Sequence, residues 1–215
     1  MPVRHHPQPV PRSGAPRLQR LSELVQLPRR SPLYPQLARA LAAADALHGL
    51  RTDLGPVPVR PTATTRQSGC YRMREGDPID LRVSGRQDRV PLSFLHELGH
   101  LIDHQLAPEP RRFASTGHPA FKWWRAALRR LESRVPEHAG RSHRRYFDSR
   151  KELWARSYAQ TVLRRANDPW LREHLRALQR SDDPFVWAEG EFEPLALEVE
   201  AVLHRLGLLV VRVAA

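Results

Sequence analysis

The sequence predicts an α+β chain: a small antiparallel sheet leading into a mostly helical C-terminal part. Three observations carry this. Short runs at Val57–Arg60, Ser68–Arg74 and Ile79–Val83 have strand character and are punctuated by turn residues. A strongly periodic stretch from Pro91 to Leu106 follows the last of them directly. Beyond residue 120, apolar residues recur at helical spacing almost to the end of the chain.

The elements follow in order. The 215-residue chain is long enough for one domain with a core, plus tails. Residues 1–17 are rich in Pro and Arg without periodicity, which reads as a disordered tail; the neighbouring His5 and His6 are read as an accident of that tail. Residues 18–54 read as a helical N-terminal segment. Leu18, Leu21, Leu24 and Val25 suggest a short helix stopped near Pro28, and an alanine-rich helix from Leu37 to Leu47 is closed by His48-Gly49.

Residues 55–207 form the predicted main domain. Its last two strands are joined by the turn Arg74-Glu75-Gly76-Asp77-Pro78, and the hairpin runs into the Pro91–Leu106 helix, with Asp88 as the expected cap. A helix is expected near 121–134, with Trp123 and Trp124 supplying core bulk, and irregular chain over 135–147. Helices follow at Ser149–Ala166 and Trp170–Leu178, then a short strand or turn at Phe185-Val186-Trp187. Pro194 opens the final helix, which stops at Gly207, and 208–215 form a tail.

The helix that starts at Pro91 contains His96-Glu97-Leu98-Gly99-His100. Residues four apart on a helix lie one turn above each other, so His96 and His100 present two imidazoles to one point. Two neutral imidazoles in that register suit Zn2+, and Glu97 between them suits a general base. His96, Gly99, His100, Asp103 and His104 share one side of this helix; Phe94, Leu95, Leu98, Leu101 and Ile102 share the other. The competing reading is a surface helix with two exposed histidines. Gly99 disfavours a helix by about 1 kcal/mol relative to alanine, which suggests that another segment approaches it closely.

Composition narrows the chemistry. Cys70 is the only cysteine, so an internal disulfide and a cysteine-rich zinc site are both excluded. The net charge of +12 comes from 33 Arg and 2 Lys. A nucleic-acid partner is compatible with that charge. It is not favoured, because the basic residues are spread along the chain and Arg, Ala, Pro and Leu rise together in GC-rich genomes. No apolar run is long enough to span a membrane, and the N-terminus lacks a signal-peptide core. A cytoplasmic location is expected, with export by a route the sequence does not show left open.

A catalytic zinc usually takes three protein ligands. Glu152, Asp103, His104, His143 and His118 are the candidates for the third. Asp103 and His104 share a helix with the first two ligands, which cannot easily wrap three donors around one ion. Asp103 fits better as an acceptor for an imidazole N–H or as a brace. His118 and His143 fall in apparent loops. Glu152 opens a helix with its own apolar stripe and can aim a carboxylate across. Its competing role is a capping box with Ser149.

His96–Asp103, followed by Glu152-Leu153-Trp154-Ala155-Arg156-Ser157-Tyr158-Ala159, resembles the gluzincin type of zinc metallopeptidase. Lethal-factor-like protease domains and phage- or toxin-associated zincin-like proteins are the nearest pattern. A weaker similarity is to the peptidases of phage-repressor cleavage systems. The resemblance spans about residues 55–206 in layout and rests on fewer than a dozen residues. It implies a zincin-like fold, His96, His100 and Glu152 as Zn2+ ligands, Glu97 as base on the zinc-bound water, and Tyr146 as oxyanion donor. Arg156 stands where relatives often carry an acid, and an arginine there can pair with Glu152 or Asp103. Metzincins do not fit, since Asp103 and Leu106 replace the glycine and histidine they need.

The expected activity is therefore zinc-dependent hydrolysis of peptide bonds in a protein or peptide substrate, held along an exposed edge strand. His143 or Tyr158 would serve as oxyanion donor in place of Tyr146. Three alternatives stay open: a basic metalloprotease associated with DNA, a zinc-binding zincin-like protein without catalysis, and a helical nucleic-acid-binding protein with a fortuitous motif.

Overall fold

The computed structural model describes residues 17–63, 68–85, 88–131 and 140–210. The predicted tail falls outside these residues except for Arg17. Within them the chain is α+β.

The N-terminal segment is less helical than its leucines suggest. Leu18–Gln19 (β1) and Val25–Gln26 (β2) are strands flanking a single helical turn, Leu21–Leu24 (α1). Four residues cannot hold a helix by themselves, and backbone pairing with other strands takes the flanks. β1 pairs with Leu50–Arg51 (β3). Between them, Tyr34–Leu47 (α2) buries Leu37, Ala40, Leu41 and Ala44 on one stripe and ends at His48.

Val57–Thr62 (β4), Gly69–Arg74 (β5) and Asp77–Ser84 (β6) join β2 in one sheet of order β2-β4-β6-β5. The expected antiparallel sheet is in fact mixed. β5 and β6 form the antiparallel hairpin, but β6 returns between β5 and β4 and pairs parallel to β4, as β2 does. Side chains alternate with period two in either direction, so the pattern that reveals the strands is silent on their sense. Glu75 and Gly76 take positive φ in the hairpin turn, where glycine relieves strain.

Val90–Gln105 (α3) is the centre of the molecule. It packs on β5 and β6, on α2, and most intimately on Arg150–Arg165 (α6). Its N-cap is Arg89 rather than Asp88, with proline in the first turn. The polar side of α3 is buried along with the apolar side, because α6 lies across it. The close approach expected at Gly99 is present: a β-carbon there would stand 3.0 Å from the Ala155 Cα and 3.0 Å from the Tyr158 ring.

The expected 121–134 helix is shorter, Lys122–Leu128 (α4), and the rest of its span to residue 131 is turn. Trp124 is buried, donating to the Ser157 hydroxyl at 3.0 Å, but Trp123 is 55% exposed with Lys122 over its ring. Arg141–Phe147 (α5) is helical where irregular chain was expected. Pro169–Arg180 (α7) is capped by Asp168. Phe185–Trp187 is turn rather than strand. The final helix, Glu189–Arg205 (α8), begins a turn before Pro194, which sits inside it. Gly207 stops it at φ +64°, and Leu208 N–H bonds back to Leu203 O at 2.9 Å. The chain then does not trail away at once: Leu209 bridges to His48. Among the described residues, no helix is long and apolar enough to cross a membrane.

Candidate metal centre

α3 and α6 cross with their polar stripes facing. From α3 come His96 and His100; from the first turn of α6 comes Glu152. The Nε2 atoms of the two histidines are 3.1 Å apart. Glu152 Oε2 lies 3.2 Å from His96 Nε2, and Oε1 lies 3.4 Å from His100 Nε2. A tetrahedral ion with bonds of about 2.0–2.2 Å sets its ligand atoms roughly 3.3–3.6 Å apart. The three side chains therefore form a group that can hold a metal ion, with spacings close to those that tetrahedral coordination requires.

The capping reading of Glu152 does not describe its side chain. Ser149 is the N-cap of α6 but makes no side-chain cap, and its hydroxyl is buried without a hydrogen-bond partner among the described residues. Burial alone would raise the Glu152 carboxyl, but hydrogen bonds and charge from His100 and His96 hold it well below the usual range. Burial likewise opposes charge on His100, but its hydrogen bond to the Glu152 carboxylate and the charge of Glu97 outweigh burial, so its pKa is raised.

Glu97 is 5% exposed, and burial pushes its carboxyl up despite the two histidines beside it. Its Oε2 accepts a 2.6 Å bond from the Tyr71 backbone N–H. Gly69, two residues earlier on β5, leaves the room this needs, since a β-carbon there would stand 2.6 Å from Glu97 Oε1. Glu97 is thus pinned to the edge strand of the sheet. Neither Gly69 nor Tyr71 stands out in the sequence; a glycine inside a strand pattern is the signal that could single out the first.

These groups open into a cleft of about 680 Å³ whose lining includes Ser68 and the first three residues of β5, Gly69, Cys70 and Tyr71. Tyr146, on α5, reaches it: burial and the charge and hydrogen bond of Glu152 push its phenol pKa up, although the residue is 55% exposed overall. His143 is on the same rim. Arg156 is buried one turn after Glu152. Its guanidinium bonds to the backbone carbonyls of Glu152 and Phe147 and lies 3.6 Å from the Phe147 ring centroid. Burial lowers its pKa to about 10. It supports the backbone under Glu152 rather than bonding to the carboxylates of Glu152 or Asp103.

The other candidates are placed elsewhere. Asp103 is a brace: it accepts from Ser115 N–H and Oγ, both at 2.6 Å, with burial pushing its carboxyl up to about 7. It makes no hydrogen bond to His100, whose Nδ1 is buried and without one among the described residues. His104 Nδ1 meets the Tyr71 hydroxyl at 2.7 Å. His118 caps the turn at Pro119–Phe121 by accepting from Ala120 N–H. Tyr158 is fully buried behind α3 with its hydroxyl 2.8 Å from His48 Nε2, so it cannot donate into the cleft. A recess of about 910 Å³ beside α1 and α2 contains one buried acid, Asp45, which accepts from Ser22 N–H.

Compared with protein-family models, with curated proteins and with solved structures, the chain matches none.

Proposed function

We propose that this chain is a zinc-dependent peptidase with a zincin-like fold that hydrolyses peptide bonds. The observation that carries the reading is the convergence of two imidazole nitrogens 3.1 Å apart, each within 3.4 Å of an oxygen of the Glu152 carboxylate, next to a second, buried carboxylate on the histidines' own helix. The donor set, two imidazoles and one carboxylate lining the cleft, would suit zinc. Such an ion acidifies its water and polarises a carbonyl.

The chain's own residues supply the rest. Glu97 has one carboxylate oxygen bound to Tyr71 N–H, which leaves Oε1 to take a proton from water. Its raised pKa brings it closer to the operating range of a general acid when that proton is passed to the leaving amine. Tyr146, a neutral phenol on the cleft rim, donates to the oxygen on which charge develops. β5 is the edge of the sheet and borders the cleft, so an extended peptide can add alongside it.

The test is Glu97→Gln with metal content and peptide-library cleavage measured on the same preparation. The variant should retain metal and lose turnover by about 10²–10⁴-fold, the usual contribution of a general base. Full cleavage by the metal-loaded variant would overturn the assignment.

A further inference from the structure

The sheet has a second face, and the arginines that are scattered in sequence gather there. Arg60 on β4 and Arg82 on β6 are direct cross-strand partners, and Arg72 on β5 is directly opposite Asp80 on β6. All three guanidiniums surround the one Asp80 carboxylate, which they cover completely: its side chain is 0% exposed. Arg72 takes both carboxylate oxygens at 2.6 Å. Arg60 at 3.3 Å and Arg82 at 3.6 Å make ion pairs with it. Their side chains remain 63% and 41% exposed, although Arg82 Nε itself is buried without a hydrogen-bond partner among the described residues.

Five arginines of the C-terminal helices are paired differently. On α6, α7 and α8, Arg164, Arg165, Arg176, Arg180 and Arg205 pair with Glu189, Glu193, Glu200, Glu173 and Glu198, five cations to five carboxylates. Among the described residues, the sheet face has three to one. Like charges directly opposite on a sheet are destabilising, yet Arg60 and Arg82 occupy such a pair. α3 packs on the opposite side, and the outward positions of β4, β5 and β6 carry no buried apolar side chain. The face is not waiting for a hydrophobic cover.

We infer that this arginine face binds the phosphate backbone of duplex DNA. Three guanidiniums around one carboxylate leave an excess of two positive charges on this face among the described residues, the sign that a polyanionic backbone attracts. Arginine offers its donors in a planar fork suited to phosphate. The outward positions of β4, β5 and β6 carry no aromatic side chain to stack on unpaired bases, which favours a duplex contacted through its backbone. β5 serves both faces, presenting Arg72 here and Gly69 and Tyr71 to the metal cleft. DNA bound on one side would therefore hold the cleft close to other proteins on the same duplex. The binding itself is independent of the peptidase reading.

Fluorescence anisotropy of the full chain with a labelled 20-base-pair duplex, over a salt series, tests this. The logarithm of affinity should fall with the logarithm of salt, and Arg60→Ala/Arg82→Ala should make that slope shallower by about 2, at roughly 0.9 for each phosphate no longer neutralised. The double variant should weaken binding about tenfold or more at the lower salt concentrations. Arg176→Ala/Arg180→Ala removes the same charge from α7 and should leave binding within about twofold. Arg60→Gln, the most exposed change, gives an independent slope loss of about 1 should the double variant prove unstable. The inference is overturned if the wild type does not bind DNA, if the α7 control weakens binding as much, if neither sheet variant changes the slope, or if vesicles containing anionic phospholipid compete with the duplex at equal phosphate concentration.

Discussion

Two successive stretches of α3 bury polar side chains and use them in opposite ways. At its C-terminal end, Asp103 and His104 are closed off: Ser115 donates twice to Asp103, and the Tyr71 hydroxyl meets His104. One turn earlier, His96 and His100 have their nitrogens turned toward each other and toward Glu152, with no other partner for those atoms among the described residues and a cleft beside them. Two imidazole nitrogens 3.1 Å apart are a poor hydrogen bond when both are neutral acceptors, yet a good pair of ligands. Burial and residue type separate these two halves little, since only His96 keeps partial exposure and both contain histidine. What separates them is whether each lone pair has somewhere to go within the protein.

The change with the largest expected effect removes the carboxylate that completes the open half. Glu152→Ala should abolish stoichiometric metal binding, measured as metal per chain after dialysis against metal-free buffer. His104→Ala, the matching truncation in the closed half, should leave metal content unchanged. Equal loss in both would break the comparison, because the two halves would then act as one ligand set.

His48 sharpens the comparison from a third position. It is fully buried, 2.7 Å from Gly49 O and 2.8 Å from the Tyr158 hydroxyl, so both its nitrogens are partnered within the protein. Burial lowers its pKa from 6.5 to about 4. In the unfolded chain the same ring takes up a proton near 6.5, so the unfolded state binds more protons between those values. The stability from this site is therefore complete above pH 6.5 and is lost as pH falls toward 4. The loss amounts to about 3 kcal/mol. Because Asp103, with its carboxyl raised to about 7, contributes in the opposite sense over this range, the site is isolated by urea unfolding of wild type and His48→Gln at pH 7.5 and pH 4.5: the stability of the wild type relative to the variant should fall by about this amount at the lower pH.

Sequence and structure agree where chemistry is local and part where it depends on direction or distance. His96, Glu97 and His100 are legible because one helical turn fixes their geometry, and Gly99 is legible as a close approach because glycine is costly there. Glu152 is legible only as a choice between cap and ligand; the packing of α6 on α3, which no local pattern encodes, turns it inward. The short hydrophobic run at Leu18–Val25 reads as helix, and β-pairing with distant strands overrides it. The sense of the sheet is illegible for the reason that alternation is blind to direction. The arginines of the outer face read as scattered, because residues 60, 72 and 82 become neighbours only once β6 inserts between β4 and β5.

The smallest expected effect falls on the one residue that serves both halves. Tyr71 bonds to Glu97 through its backbone N–H and to His104 through its hydroxyl. Tyr71→Phe removes only the second of these bonds and leaves His104 Nδ1 with Gln105 at 3.3 Å. The expected cost is about 1 kcal/mol of stability, typical of one hydrogen bond between neutral groups, read from the urea midpoint. Metal content and turnover per bound metal should be unchanged, because the strand amide that fixes Glu97 is untouched. If turnover falls while metal is retained and stability holds, the hydroxyl reaches the reacting groups, and the closed half of α3 is part of the catalytic apparatus after all.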